Sequence, residues 1–360
     1  MSTTDRPEYL PAGAGLAASV AVDAPVAGAG VGVDGVPVRA RGYWEQVWIR
    51  FRRDRVAIGS GIFILFLVFS AFAGGPIAAH FLGHGPNSQF FAGGVDQKTL
   101  LPVGPWSHIT TAPYVGAVGH FPKTLFILGA SDTTGRDEFL RLLYGAQVSL
   151  EVAFIATTLA ISIGVFLGAT AGYFGGATDT VISRMTEMVM AFPLLLFAIA
   201  LGSTIGPRLS NVTFGFLGRG VVPIVIVIGL FSWFYPARII RAQVLSLREK
   251  EFIEAARMVG ASDRRIIRSH LLPHLVAPII VLATLVFAAN ILFEAGLSFL
   301  GVGIQLPTAS WGNLLATAPA FYLNQPWLML WPGLAVLLTT LAFNLLGDGL
   351  RDAFDPRSSL

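Results

Sequence analysis

Two histidines have the clearest metal-chelating spacing in the sequence. His270 and His274 are four residues apart, which places both imidazoles on one face of a helix. Pro273 stands between them and disturbs that helix, and no carboxylate completes a ligand cluster. Thiolate ligands are excluded, because the 360-residue chain has no cysteine. We therefore predict no metal site and no cofactor bound by this chain.

Covalent and phosphoryl-transfer chemistry also lack the residues that they need. A Ser298 nucleophile would need a histidine, but about 24 residues of helix, or about 36 Å, separate it from His274. No G-x-x-x-x-G-K-[ST] loop is present to hold nucleotide phosphates. The sequence therefore predicts no catalytic residue and no ATPase site in this chain.

The composition indicates a membrane protein rather than a soluble enzyme. Charged residues make up 12% of the chain, against about 25% in soluble domains, and mean hydropathy is +0.68. Six apolar runs reach or approach the roughly 20 residues that cross a bilayer. They are residues 56–81, 148–173, 188–206, 221–237 with a continuation toward 245, 276–300 and 327–346. The predicted fold class is all-α, a polytopic membrane protein with six transmembrane helices.

Lysine and arginine set the expected orientation. With the N-terminus in the cytoplasm, three-quarters of the 24 Lys and Arg residues fall on the inner side of the six predicted spans. We therefore predict a multi-pass protein of the cell membrane with both termini cytoplasmic. This distribution explains the net charge of +3 without nucleic acid, so no nucleic-acid partner is predicted.

The segments outside the spans divide the chain further. Residues 1–42 are rich in Ala, Gly, Val and Pro and predict a disordered cytoplasmic tail. In residues 43–55, Trp44, Val47, Trp48 and Phe51 share one helical face, which predicts an amphipathic helix lying on the bilayer surface before the first span at 56–81. The other predicted segments are an outer loop at 82–147, loop-like until 137–144, a transmembrane core at 148–350 and a cytoplasmic tail at 351–360.

The polar stretch 251–273, between the fourth and fifth spans, is the most informative segment. It predicts a short helix, a break at Gly260 and a second helix with Ser262 as N-cap and Asp263 at its positive end. Ala255 and Ala256 form a ridge of small residues beside charged side chains. Such a segment is too polar for lipid and suits docking to a partner, with a solvated helical hairpin as the alternative.

This stretch resembles the EAA loop of ABC-importer permeases. Glu254-Ala255-Ala256 is followed after three residues by Gly260 and after nine more by His270-Leu271-Leu272-Pro273; His270 in place of Ile is typical of the dipeptide/oligopeptide/nickel branch. Residues 130–137 resemble that branch's signature before the second span, with Ala130 and Ser131 departing from its Gly-Thr. Other matching segments are Arg141, Tyr144-Gly145-Ala146, Glu294, Leu297–Gly301, Ser310-Trp311-Gly312, Gly347–Asp352 and Asp355-Pro356.

The resemblance covers about residues 43–357 and is strongest to the second, C-type permease subunit. It implies the ABC type I importer permease fold, a sister permease, two cytoplasmic ATPase subunits that carry ATP and magnesium, and an extracellular or periplasmic substrate-binding protein. It implies that the ATPase subunits dock on Glu254, Ala255, Ala256, Arg257, Gly260, Ser262 and Asp263. The implied activity is import of di- or oligopeptides by alternating access.

Two other transport functions stay open at this point. Nickel or another small solute is the first, since His80, His84, His108 and His120 lie toward the predicted outer mouth. A secondary transporter is the second and would need coupling-ion ligands at mid-membrane, for which Glu294 is the clear carboxylate.

Three polar residues within the spans are candidates for the translocation path. A carboxylate in an apolar span faces protein or water rather than lipid. Glu294, with Asn290 one turn earlier, is therefore predicted to face the path or the sister subunit, and Asn344 in the sixth span is treated alike. The alternative is that Glu294 forms hydrogen bonds that serve only packing.

Overall fold

The computed structural model describes residues 29–31, 37–39, 42–209 and 220–355, with side chains described for 42–204 and 220–355. The chain divides into two compact units, residues 1–46 and 47–360. The predicted disordered tail at 1–42 lies largely outside the described residues. Within it, β1 (Ala29–Val31) and β2 (Pro37–Arg39) form an antiparallel pair, which is regular structure where disorder is predicted. Residues 356–360 of the predicted C-terminal tail also lie outside the described residues.

Helices dominate the described part of the second unit. In chain order the helices are α1 (Tyr43–Phe51), α2 (Arg55–Phe69), α3 (Gly75–Leu82), α4 (Phe91–Gly94), α5 (Glu138–Phe174), α6 (Gly176–Ala191), α7 (Leu194–Leu209), α8 (Val221–Phe231), α9 (Phe234–Leu247), α10 (Glu251–Met258), α11 (Asp263–Ile266), α12 (Leu272–Phe299), α13 (Trp311–Thr317) and α14 (Trp327–Phe354). Two π-helical segments, Ser70–Gly74 and Ile267–Leu271, join α2 to α3 and α11 to α12. In the predicted outer loop, β3 (Ser107–Thr110) pairs with β4 (Lys123–Phe126) as an antiparallel hairpin.

The mostly helical fold of the prediction is confirmed, with different bounds. Within the described residues, five stretches are long and apolar enough to cross a membrane, and α6 with α7 makes a sixth if the bent pair counts as one span. The five are Arg55–Leu82, Glu138–Phe174, Val221–Leu247, Asp263–Phe299 and Trp327–Phe354. The second begins ten residues before the predicted 148, because polar residues that read as loop form the first turns of α5 after its N-cap, Asp137. The last runs into the predicted tail, to Phe354.

The third predicted span, residues 188–206, is not one continuous helix in the structure. α6 ends at Ala191, and α7 leaves it at a bend of 83°. Phe192 has φ −85° and ψ 134°, the extended conformation that a following proline favours. Pro193 lacks the N–H that would continue α6. The apolar run continues through this break, so hydropathy does not show it.

The bent pair nevertheless runs from one end of the helix bundle to the other. α6 starts where α5 ends, and there Arg248 Nη1 donates to the carbonyl of Gly172 over 3.2 Å. Near the far end of α7, a Cβ on Gly202 would lie 3.4 Å from the carbonyl oxygen of Val302. The segment after α12 that contains Val302 lies at the end where α5 begins, since Arg141 Nη1 donates to the carbonyl of Pro307 over 3.3 Å. The contacts therefore support a sixth crossing.

The α5 helix packs closely on α9 through glycines spaced by four residues. A Cβ on Gly168 would lie 2.5 Å from the carbonyl oxygen of Ala237, and one on Gly172 would lie 2.8 Å from that of Arg241. These distances leave no room for a side chain. Small residues at this spacing let the two helices approach at backbone distance, and the contact holds the end of α5 beside the polar stretch 251–273.

The predicted interfacial helix at 43–55 is shorter in the structure. α1 ends at Phe51, and Asp54 caps the next helix by accepting hydrogen bonds from the backbone N–H groups of Val56 (2.8 Å) and Ala57 (3.1 Å). Asp54 therefore belongs to the start of α2. The position of α1 on a bilayer surface stays a prediction.

Candidate docking site

The stretch 251–273 has the predicted helix, glycine break and second helix. α10 ends in a Schellman turn, in which Gly260 N–H donates to Arg257 (2.9 Å) and Ala261 N–H donates to Ala256 (3.0 Å). Gly260 has φ +82°, a conformation that costs little only for glycine. Ser262 is the N-cap of α11 with extended backbone, but its side chain forms no capping hydrogen bond. We call residues 251–263 the coupling loop.

Apolar side chains of the coupling loop and of the following α11 pack into the helix bundle. Ile253 of α10 and Ile266 of α11 are fully buried in one cluster with residues of α9 and α12. The ring of Phe252 stacks on the imidazole of His274, with centroids 4.9 Å apart and planes at 15°. His274 also places Nδ1 2.7 Å from the carbonyl of His270. The imidazole of His274 thus packs on Phe252, and the described residues contain no group of three metal-ligating side chains.

The opposite face of the coupling loop is open to a partner. Of the predicted docking residues, Ala256 is half-buried, and the exposed ones are Glu254, Ala255, Arg257, Gly260, Ser262 and Asp263. Met258 and Val259 are 83% and 88% exposed, an adjacent apolar pair that the sequence analysis did not single out. Their position directly before the turn at Gly260 was the signal available, since apolar residues next to a turn in a polar loop have no core to enter. Exposed apolar side chains with charged neighbours are typical of protein contact surfaces.

The coupling loop is fastened to the end of α5. The hydroxyl of Tyr173 donates to Asp263 Oδ1 over 2.6 Å. The guanidinium of Arg257 lies 5.6 Å from the centre of the Tyr173 ring, within cation–π distance. Two predicted docking residues therefore also hold the loop against a transmembrane helix. A displacement of the loop by a partner reaches α5 through these contacts.

A second polar connection joins α6 to α9 beside the same end of α5. The guanidinium of Arg241 forms a two-point ion pair with Asp179, in which Nη2 lies 2.6 Å from Oδ2 and Nε contacts Oδ1. Such a fork-to-carboxylate pair fixes the relative orientation of its two helices. The start of the bent pair is thereby held to the helix that leads into the coupling loop.

Glu294 and Asn290 lie inside the chain rather than on its surface. Glu294 is fully buried and accepts hydrogen bonds from Ser149 (2.9 Å) and Ser298 (2.8 Å). Asn290, 2% exposed, accepts from Ser232 (3.0 Å) and donates to Thr157 (2.9 Å). These hydrogen bonds show how both residues pack within this chain, and their place on the translocation path or at the sister subunit stays a prediction. Asn344, in α14, is half-buried.

The Glu294 network continues into the segment after α12. Ser298 Oγ accepts a hydrogen bond from the backbone N–H of Ile304 over 3.1 Å, and Ser149 Oγ accepts one from that of Trp311 over 3.3 Å. One buried carboxylate thereby orients two hydroxyls that hold the 304–311 segment against α5. The segment after α12 is thus packed onto the bundle.

The end of the bundle where α5 begins carries a cluster of charged side chains. Asp137 accepts from the Leu140 N–H (3.1 Å) and lies 3.0 Å from Nε2 of His84. Asp132 pairs with Arg136 over 2.9 Å. Burial raises the pKa of Asp132, but the hydrogen bonds from Thr134 and the nearby guanidinium charges outweigh burial and leave the pKa below its usual value. The segment that resembled a family signature therefore serves as a folded connection at the start of α5.

Comparison with known proteins places these features in a family. Residues 164–360 match the model of the binding-protein-dependent transport system inner membrane component, and residues 42–93 match that of the N-terminal TM domain of oligopeptide transport permease C. The first match covers more than half of the chain and includes the whole coupling loop. The second covers α1, α2 and α3.

Curated relatives agree over most of the chain. The dipeptide transport system permease protein DppC of Alkalihalophilus pseudofirmus is 45% identical over 63% of this chain and 71% of its own length. The oligopeptide transport system permease protein OppC of Haemophilus influenzae is 34% identical over 90% of this chain and 92% of its own. The glutathione transport system permease protein GsiD of Escherichia coli O6:K15:H31 is 35% identical over 89% of this chain and 93% of its own length.

Among solved structures, an inward-facing MetNI methionine ABC transporter matches 60% of this chain and 96% of its own chain, at 18% identity and a TM-score of 0.48. The family assignment depends on the sequence comparisons. The match across residues 164–360, together with relatives aligned over about nine-tenths of both chains, shows that this protein belongs to the family of binding-protein-dependent transport system inner membrane components, the membrane-spanning subunits of ABC importers.

Proposed function

We propose that this chain is the C-type permease subunit of an ATP-driven importer of di- or oligopeptides. The observation that carries the proposal is the exposed coupling loop, which is fastened to α5 through Tyr173 and Asp263. The relatives' names supply the substrate class, since they are dipeptide, oligopeptide and glutathione permeases. ATP is hydrolysed by two partner subunits. This chain provides the translocation path and the coupling loop on which those subunits act.

The mechanism follows from the contacts of the coupling loop. When the ATPase subunits close on ATP, they press on the face formed by Glu254, Ala255 and the Met258–Val259 pair. The buried anchors Ile253 and Ile266 transmit the push to α9 and α12, and the Tyr173–Asp263 hydrogen bond transmits it to α5. Small tilts of these helices, against the sister permease, switch access from the outer to the inner side. A substrate-binding protein delivers peptide to the outer mouth.

The orientation belongs to the same proposal. The coupling loop, both termini and the inner ends of the spans are cytoplasmic, because most lysines and arginines lie there. In this orientation the hairpin β3–β4 and the segment 300–326 face the binding protein.

Nickel import remains the second candidate substrate class on sequence grounds. In the structure His84 is engaged with Asp137, and His80, His108 and His120 form no three-residue ligand group with other described side chains. The peptide proposal therefore has the stronger support from the relatives.

One experiment tests docking and substrate together. The complex of this chain with its sister permease and ATPase subunits is reconstituted in liposomes with the binding protein, and ATP-dependent uptake of a labelled dipeptide and of Ni²⁺ is measured. We expect dipeptide uptake that stops without ATP and survives collapse of the proton gradient. Uptake of Ni²⁺ alone would overturn the substrate class, and uptake driven by the proton gradient without ATP would overturn the mechanism.

A pair of matched variants tests the docking surface. Met258→Ser with Val259→Ser removes the exposed apolar pair, and we expect about a tenfold loss of ATPase subunits co-purified with the complex. Tyr322→Ser with Leu323→Ser removes an adjacent apolar pair, 54% and 79% exposed, from the segment after α12. This control should leave co-purification unchanged. Equal retention of ATPase subunits by both variants would contradict docking at the coupling loop.

A further inference from the structure

A long groove lies between the second half of α5 and the start of α12. Its volume is about 900 Å³, and its walls are apolar, formed chiefly by Ile161, Val165, Phe166 and Phe174 of α5 and by Leu272 and Ile279 of α12. From Ile161 to Phe174 the helix rises about 20 Å. The hydrocarbon half of a bilayer is about 15 Å thick, so the groove is long enough to extend through one leaflet.

The groove has a positively charged mouth at the end next to the coupling loop. Arg264 and Arg268 line it there, together with Asp263. The carboxylate of Asp263 is already bonded to the Tyr173 hydroxyl, 2.6 Å away. Among the residues that the structure describes, neither arginine side chain has a hydrogen-bond or ion-pair partner. Two unpaired guanidinium groups therefore stand at the end of an apolar channel.

This combination selects one kind of occupant. Guanidinium groups bind phosphate oxygens in a two-point geometry, and basic pockets between transmembrane helices on the cytoplasmic side bind anionic lipid headgroups. An apolar channel of leaflet depth fits an acyl chain, whereas a polar peptide or free phosphate leaves the channel without a matching surface. The groove and its mouth together have the two chemistries of one phospholipid.

We propose that an anionic phospholipid of the inner leaflet occupies this groove, with its phosphate on Arg264 and Arg268 and an acyl chain along α5. The inference rests on the proposed orientation, which makes this end cytoplasmic. The bound lipid lies against α11 and the π-helical residue Ile267, which connect the coupling loop to α12.

Photo-crosslinking from two positions on α5 tests the site. p-Benzoylphenylalanine replaces Phe166, 69% exposed in the groove wall, or Phe154, 64% exposed on the same helix outside the groove. The complex with sister permease and ATPase subunits is reconstituted in membranes of equal phosphatidylglycerol and phosphatidylcholine, and mass spectrometry identifies the adducts. We expect about a tenfold excess of phosphatidylglycerol at position 166 and equal amounts of the two lipids at position 154.

Two charge variants complete the test. Arg264→Gln with Arg268→Gln should bring the ratio at position 166 close to one, while Arg52→Gln with Arg53→Gln, which removes two exposed arginines outside the groove, should leave the excess. A ratio near one in the wild-type complex, or an adduct with a partner protein instead of lipid, overturns the proposal. The wild-type result decides even if the double variant fails to assemble. Because crosslinking needs neither ATP nor peptide, its failure is distinguishable from a failure of the uptake experiment.

Discussion

One side-chain hydroxyl forms a hydrogen bond between α5 and the coupling loop. Tyr173 donates to Asp263 over 2.6 Å, and the two residues are 90 positions apart in the chain. The carboxylate is exposed, so water competes for it and the hydrogen bond contributes about 1 kcal/mol. That free energy is small beside the stability of the whole fold. The hydrogen bond nevertheless couples a movement of the coupling loop to α5.

Tyr173→Phe removes this tie and keeps the ring on which Arg257 rests. Losing about 1 kcal/mol of local stability raises amide hydrogen exchange in α11 about fivefold. Hydrogen–deuterium exchange of the assembled complex measures this, with Tyr322→Phe as a control, since Tyr322 is 54% exposed in the segment after α12. We also expect peptide uptake per ATP hydrolysed to fall. Unchanged exchange in α11 would mean that the buried isoleucines alone hold the loop.

Glu294 is an interior acceptor, and its removal should act on stability. Glu294→Ala leaves the hydroxyls of Ser149 and Ser298 without their acceptor and opens a cavity, at a cost of about 2–4 kcal/mol. We expect the midpoint of thermal unfolding to fall by about 5 °C or more, with a smaller fall for Glu294→Gln, whose amide accepts only at its oxygen. Uptake per folded complex should stay near wild type.

The control for this change is Glu187→Ala. Its carboxylate forms an exposed pair with Arg184 on α6, which contributes little. Thermal unfolding of the purified complex is followed beside uptake normalised to folded protein. Loss of uptake with an unchanged unfolding midpoint would return Glu294 to the translocation path.

The sequence predicted individual residues wherever the reason was local. Gly260 and the Ser262 position follow from helix-ending rules, which need only neighbours in the chain. The partners of Asp263 and Glu294 lie 90 and 145 residues away, so no local pattern identifies Tyr173 or Ser149. For the same reason the sequence alone leaves a carboxylate in an apolar span open between the translocation path and packing, and the measurements on Glu294→Ala decide between the two.

At the scale of elements, the turn at Gly260 sets the angle between α10 and α11. Gly260→Pro requires a φ near −65° where the turn has +82°. The substitution therefore destroys the Schellman turn and the fixed angle between α10 and α11. We expect loss of ATPase co-purification and of uptake. Gly260→Asn should keep most of both, because asparagine tolerates the left-handed region better than other side chains do.

Assembly and uptake of the Gly260 variants are measured in the same preparations. Wild-type behaviour of the proline variant would contradict a role for the turn. The asparagine variant serves as its control, because it adds a side chain without excluding the conformation.

Helix bounds were predicted better for apolar centres than for ends and breaks. Hydropathy located the centres of five spans, because each span has a long apolar surface that is either buried in the bundle or exposed to lipid. It missed the first turns of α5, where Arg141 donates hydrogen bonds to Asn87 and to the carbonyl of Pro307, and the bend at Phe192–Pro193. Both misses have a backbone cause, which is the N-cap Asp137 in the first case and Pro193 in the second. The composition favoured a loop before residue 148 and an unbroken helix through residues 192 and 193.

For the whole molecule, the number of crossings decides the position of the coupling loop. If α6 and α7 cross, the coupling loop lies on the side opposite the hairpin β3–β4; if they turn back, it lies on the same side. The contacts favour crossing, because Tyr173 at the end of α5 reaches Asp263, while Gly202 lies beside Val302 at the other end. The packing thus separates the coupling loop from the hairpin, and the charge distribution predicts which of the two sides is cytoplasmic.

Cysteine labelling tests this orientation without background, since the chain has no cysteine. Val118→Cys, at a site 99% exposed near the hairpin, and Ser203→Cys, at the end of the described α7, should react with an impermeant maleimide in intact cells. Ser269→Cys, exposed beside the coupling loop, should react only after permeabilisation. If Val118→Cys and Ser269→Cys respond alike while Ser203→Cys differs, α6 and α7 do not cross as a pair. If Ser269→Cys labels in intact cells, ATPase subunits in the cytoplasm have no access to the coupling loop, and the proposed mechanism fails with the topology.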